Sequence, residues 1–182
     1  KSRYASLDQF RPSSLHRARE AATLTIPSLF PPEGTTDSSK LPTPYQSIGA
    51  RGVNNLSSKF LLTLLPPNEP FFKLLIDDYT LEELSQEEGV KAEVESALGK
   101  IERSVMAEFE RVAARPVLSE ALKQLVIAGN ILLFMHDGVF KAFRLDKYVV
   151  KRDPAGNVLE AIVKEVVAPS VFPKVCKFIN NF

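Results

Sequence analysis

The residues of this chain best suited to chemistry are two adjacent carboxylates, Asp77-Asp78, a histidine beside an aspartate, His136-Asp137, and one thiol, Cys176. Adjacent carboxylates can hold a divalent cation. An imidazole next to a carboxylate can act as a general base, and a thiolate is a nucleophile or a soft metal ligand. Their surroundings point to quieter roles. Asp77-Asp78 falls between an apolar run and a helix start, where it belongs to a loop. His136-Asp137-Gly138 reads as a turn, because Asp-Gly marks tight hairpins. Cys176 is the single cysteine, so no internal disulfide and no thiolate metal site are expected, and a reducing compartment is the easier reading. Gly129, Gly138 and Gly156 stand at spacings that match neither a P-loop nor a dinucleotide fingerprint. No serine or cysteine lies in a nucleophile motif. The chain reads as a non-enzyme, with no catalytic residue, cofactor or metal expected.

Composition narrows the class further. The net charge is only +1, from 23 basic against 22 acidic residues, which argues against a dedicated grip on nucleic-acid phosphates. The chain of 182 residues is 45% apolar and 25% charged, enough for one ordinary soluble core. Its longest uninterrupted apolar runs, Leu125–Ala128 and Ile131–Met135, fall far short of a membrane span. No secretory signal is visible. The start at Lys1 without an initiator methionine suggests a fragment, or a beginning outside this numbering.

The elements that position these residues follow from periodicity. The best-specified stretch runs from Val117 to Val167. An apolar-periodic helix, Val117–Ala128, stops at Gly129-Asn130, which tolerate the left-handed conformation of a helix C-terminus. An antiparallel meander follows: Ile131–Met135, Val139–Arg144, Tyr148–Arg152, the turn Asp153–Asn157, and Val158–Val167. Upstream, a helix is predicted over about 12–22. Three prolines keep 25–32 out of regular helix, and Ile26, Leu29 and Phe30 suggest an extended segment plugged into a surface. Glu33–Leu41 reads as a loop.

Thr43-Pro44 predicts a helix start, with threonine as N-cap and proline in the first position. The helix is expected to reach Leu65, with Tyr45, Ile48, Gly49, Gly52, Val53, Leu56, Phe60 and Leu64 on one face. Each glycine costs about 1 kcal/mol against alanine, so both predict close approach of another backbone. Arg51, Asn54, Asn55 and Lys59 flank that face. Asparagines are unfavourable inside a helix; Asn54 and Asn55 either bond a neighbouring segment or subunit, or are simply exposed. Phe71–Ile76 predicts a strand. Thr80–Glu83 has capping-box spacing for a short helix that pauses near Gly89. A long amphipathic helix then runs from Val90 to about Ala114, ending before Arg115-Pro116. Lys174–Asn181 predicts a last short helix with Phe178 on its apolar side. The expected fold class is α+β, with several amphipathic helices around a small antiparallel β meander. Residues 1–116 form a helical part with one strand near 71–76. Residues 117–182 form a helix, a β subdomain and a short terminal helix.

Four collinear stretches have a familiar look: Thr25–Pro31, Gly49–Lys59, Leu122–Asn130, and Tyr148–Asp153 with Gly156–Leu159. Together they resemble the N-terminal, wing region of the portal, or head-to-tail connector, proteins of short-tailed, podovirus-type phages. The resemblance runs from about Leu15 to about Phe172. It implies a structural subunit of a homo-oligomeric ring, typically a dodecamer, at one capsid vertex of the virion. It also implies assembly in the bacterial host cytoplasm, with other portal subunits, major capsid and scaffolding proteins, terminase and a tail adaptor as partners. DNA would pass through the channel during packaging and ejection without sequence-specific binding, and no membrane or cofactor is implied. The stem and clip regions of such proteins are not found in these 182 residues. A second reading is therefore a truncated portal-like module that binds an intact portal or capsid protein. The residues singled out for subunit or inter-segment contact are Arg51, Asn54, Asn55 and Lys59, with Phe30, Phe71, Phe72 and Phe178 as apolar anchors.

Overall fold

The computed structural model describes residues 2–36, 38–67, 69–77, 90–136 and 138–166. The expected capping box at 80–83 and its short helix lie outside the described residues. So do Asp78, Asp137, the loop at 168–173, Cys176, and the terminal helix that carries Phe178. Five helices are seen among the described residues: α1 (Ser2–Asp8), α2 (Pro12–Leu24), α3 (Ile48–Leu64), α4 (Val90–Arg111) and α5 (Ala114–Ala128). They are followed by β1 (Leu132–His136), β2 (Val139–Phe143), a 3₁₀ turn (Leu145–Lys147), β3 (Tyr148–Arg152) and β4 (Val158–Val163). The arrangement is α+β. Its β part consists of two separate two-stranded antiparallel sheets, β1 with β2 and β3 with β4, rather than one continuous meander. The 3₁₀ turn between β2 and β3 redirects the chain, so those two strands do not pair.

Helix α5 is the hub. It packs against α2, α3 and β2, and its Ala121 and Gln124 are buried. Gly129 ends it in the left-handed conformation, φ 74°, with its N–H donated to the Leu125 carbonyl at 2.8 Å. That is the stop the Gly-Asn pair predicted. The core gathers Ala18 and Ala22 of α2, Phe30, Phe143 at the end of β2, Leu145 and Tyr148. Phe30 is only 3% exposed, so the proline-bounded segment does plug into this chain. It does so through a turn, Leu29 N–H to the Ile26 carbonyl, and not as an extended strand.

Four local expectations are corrected. Helix α3 begins at Ile48, with Ser47 as N-cap and no side-chain capping bond, not at Thr43-Pro44. Its buried line runs through Val53 and Ser57, leaving Tyr45, Ile48 and Leu64 largely exposed. The cause lies at Gly49, where an added Cβ would stand 2.8 Å from the Leu24 carbonyl oxygen. That contact fixes both where the helix begins and which side it turns inward. Gly52 meets nothing within 4 Å, so close approach explains only one of the two glycines. Residues 71–76 alternate in exposure as a strand does but pair with no strand among the described residues; the Leu74 N–H is donated to the Glu102 carboxylate instead, at 2.7 Å.

The fourth correction is the helix break, which falls at Val112-Ala113, with Ala113 left-handed at φ 51°. Arg115 and Pro116 sit in the first turn of α5. Proline is tolerated there because its missing N–H would have had no intrahelical partner.

Candidate functional site: an exposed helix face and an aromatic cleft

Helix α3 carries two basic residues, Arg51 and Lys59, and no acidic one. Arg51, Asn54, Asn55 and Lys59 are all exposed. At 100° per residue they lie away from the buried Val53–Ser57 line. Among the described residues their side chains have no hydrogen-bond or ion-pair partner. The buried Ser57 hydroxyl is satisfied within the helix, donating to the Val53 carbonyl at 2.7 Å. The polar side of α3 is thus a cationic, amide-bearing surface with its donors unused, and its opposite side is anchored against α5.

A second surface is aromatic. Phe71 meets Phe72 edge-on at 5.2 Å between ring centroids and tilts onto Phe109 of α4, also at 5.2 Å. Phe109 continues to Phe140 of β2 at 5.8 Å. These separations are those of favourable ring pairs. Phe71, Phe109 and Phe140 line part of an open apolar cleft of about 490 Å³ whose other walls include Leu65, Val112 and Met135. The first sheet flanks it, with Leu133, Phe134, Met135 and Val139 exposed. Phe71 and Phe72 therefore pack within this chain, and Phe71 also borders the open cleft. Phe30 is a core residue under the Arg144 guanidinium, 5.9 Å from its ring centroid.

Several residues that hold the molecule together carried no signal in the sequence. Arg11 donates to the Leu145 and Tyr148 carbonyls at 2.7 and 2.6 Å, and to the Asp8 carboxylate. Arg3 forms a bidentate pair with Glu160, the shortest contact 2.7 Å, and holds that carboxyl below its usual range. Tyr4 donates to the Asp146 carbonyl at 3.0 Å. Burial pushes the Tyr148 phenol up from its ordinary value. Arg115 binds the Leu65 and Pro66 carbonyls and Glu110, tying the end of α3 to the junction of α4 and α5. These partners lie from three to 157 positions apart, and most are too distant in sequence for a local pattern to report. Among the described residues no group of three or more His, Cys, Asp or Glu could hold a metal ion. His136 stacks on Phe134 at 6.0 Å beside the β1–β2 turn.

The fold is α+β, with an exposed polar helix face and an open apolar cleft. Residues 1–169 match the family described as bacteriophage head to tail connecting protein, and the chain belongs to that family. It is 39% identical to the portal protein of Escherichia phage T7 over 180 residues, covering 96% of this chain and 33% of that protein. The portal protein of Enterobacteria phage T3 is 38% identical over 179 residues, with the same coverage. That of Enterobacteria phage SP6 is 30% identical over 162 residues, covering 87% of this chain and 30% of the relative. The chain spans about a third of the length of these curated relatives.

Proposed function

We propose that the chain is a structural subunit of a phage portal, part of the ring at one capsid vertex through which DNA is packaged and ejected. The observation that carries the reading is the match to portal proteins over 96% of the chain. The surfaces support it. A closed ring uses heterologous contacts, one face of each subunit meeting a different face of the next. The polar side of α3 and the cleft beside the first sheet are two such dissimilar faces, each open among the described residues. Arg51, Asn54, Asn55 and Lys59 supply donors on the first face; Phe71, Phe72 and the exposed strand residues supply apolar contact near the second. Capsid and scaffolding proteins, terminase and a tail adaptor are the partners this role calls for, and the role is non-enzymatic.

Mass photometry and negative-stain microscopy at physiological salt test the reading. Closed rings are expected, and Arg51→Glu with Lys59→Glu is expected to shift mass toward smaller species while leaving the melting temperature unchanged. A protein that stays monomeric at every concentration, and does not join rings when co-expressed with an intact portal protein, sinks it.

A further inference from the structure

A different surface carries an inference that does not depend on ring assembly. A cleft of about 500 Å³ opens between α1, α2, the loop at 31–35 and the 3₁₀ turn. Four cationic side chains line it, Arg19, Arg144, Lys147 and Lys164, against three carboxylates, Asp8, Glu33 and Asp146. The carboxylates are already committed. Asp8 is held by Arg11, which lies outside the cleft. Asp146 is held by Arg144 at 3.0 Å, with both side chains about three-quarters buried. Glu33 reaches Arg19 at 3.0 Å but is 83% exposed, and so exposed a pair is readily displaced.

The cations are not fully used. Lys147 and Lys164 have no carboxylate partner among the described residues, and Lys164 rests over the Tyr4 ring at 5.9 Å. The Nε of Arg19 is buried with no hydrogen-bond partner among them. That nitrogen is shielded from the cleft, and the end of the guanidinium that an anion can reach is Nη1, now paired with the exposed Glu33. The backbone adds a fixed geometry: the Lys164 N–H is donated to the Lys147 carbonyl at 2.7 Å, holding the two lysines side by side. Donors thus converge from α2 on one side and from the 3₁₀ turn and the end of β4 on another. A carboxylate has only two oxygens and one charge to share among these donors, whereas a polyphosphate brings more oxygens and more charge. The concave shape suits a compact anion better than the rod of a DNA duplex, and the volume lies in the usual range for small-ligand pockets.

We propose that this cleft binds a small polyphosphate anion, free or as the phosphate chain of a nucleotide, gripped by Arg19, Lys147 and Lys164. Isothermal titration with sodium pyrophosphate, at ionic strength held constant with chloride, tests it on three proteins: the unaltered chain, Lys147→Gln/Lys164→Gln, and the control Lys141→Gln, whose lysine lies outside the cleft and pairs with Glu165. Saturable one-to-one binding is expected, weakened at least about tenfold in the double variant and unchanged in the control. If the double variant does not fold, Lys164→Gln alone replaces it, since that side chain is exposed. Adenosine triphosphate bound more tightly than pyrophosphate assigns a nucleotide as the source; equal affinity assigns the free anion. Absence of saturable pyrophosphate binding, equal binding in the variant, or binding of a short DNA duplex in place of pyrophosphate each overturns the proposal.

Discussion

Gly49 and Gly52 stand three positions apart on α3, yet substitution at the two should have opposite effects. An added Cβ at Gly49 would meet the Leu24 carbonyl at 2.8 Å and Thr25 Cγ2 at 3.0 Å. The carbonyl is backbone and cannot swing aside, so Gly49→Ala is expected to destabilise the fold. Overpacking costs about 1–3 kcal/mol, offset in part by about 1 kcal/mol of helix propensity. Gly52 has open space around it, so Gly52→Ala is expected to stabilise by up to about 1 kcal/mol. Urea unfolding of both variants checks the pair, and a gain at position 49 would show that α3 does not sit against Leu24 as described. Arg11 gives a second prediction at this scale. Its guanidinium serves two main-chain carbonyls and a carboxylate at once, and its side chain is only 17% exposed. Arg11→Ala strands those acceptors and is expected to cost about 2–3 kcal/mol. Arg11→Lys should recover only part of that, because an ammonium lacks the planar fork. Equal stability of the lysine variant and the unaltered chain in the same unfolding assay would refute the role of the fork.

Among the elements, the β3–β4 hairpin carries a pH dependence of known sign. Asp153 accepts the Asn157 backbone N–H at 2.7 Å and its side-chain amide at 2.9 Å. The Asn157 side-chain bond is the main cause that holds the Asp153 carboxyl below its ordinary value, with backbone bonds around the turn helping. A depressed folded value means the stabilisation is present above the unfolded pKa and is lost as pH falls through the folded one. Asn157→Ala is therefore expected to raise the Asp153 value and to flatten the acid end of the stability curve. A carboxyl-carbon NMR titration reads this directly, and an unmoved titration would contradict it. The same hairpin was plain in the sequence, because its turn chemistry is local: Asp-Pro-Ala-Gly-Asn between two β-branched runs needs no outside partner. The stop of α5 at Gly129 was plain for the same reason. What escaped was set by contacts distant in sequence. Thr43-Pro44 has the local grammar of a helix start, but the approach of Gly49 to Leu24 begins α3 four residues later. Residues 71–76 alternate as a strand must, yet a strand also needs a partner, which periodicity cannot report. The polar side of α3 could be read from a helical wheel. The polyphosphate cleft could not, since its cations come from positions 19, 144, 147 and 164.

At the scale of the whole molecule, stability is unevenly spread. Helix α5 buries Ala114, Ala121 and Gln124 among its neighbours, whereas α4, the longest helix at 22 residues, has no buried residue. Its Ile101 and Val105 are about half exposed. The side-chain contacts it does make gather toward its C-terminal half: Glu102 on the Leu74 N–H, Phe109 between Phe71 and Phe140, and Glu110 on Arg115. An isolated helix gains little from propensity alone, and most helical stability comes from packing an apolar face. In the dispersed chain the amides of α4 from Val90 to Ile101 are thus expected to exchange with solvent faster than those of α5, with the stretch around Phe109 intermediate. Burial in a ring changes the ranking for whichever face the neighbour covers. Hydrogen–deuterium exchange on monomeric and assembled fractions of one preparation reads both effects. If the cleft side of α4 meets the neighbour, protection of 105–111 should rise on assembly while α5, already buried, changes little. Protection confined to the polar side of α3 would leave α4 outside the interface and place the apolar cleft elsewhere in the assembly. Uniform exchange across α4 and α5 in the monomer would mean that burial is not what orders their stability, which is the premise of the prediction.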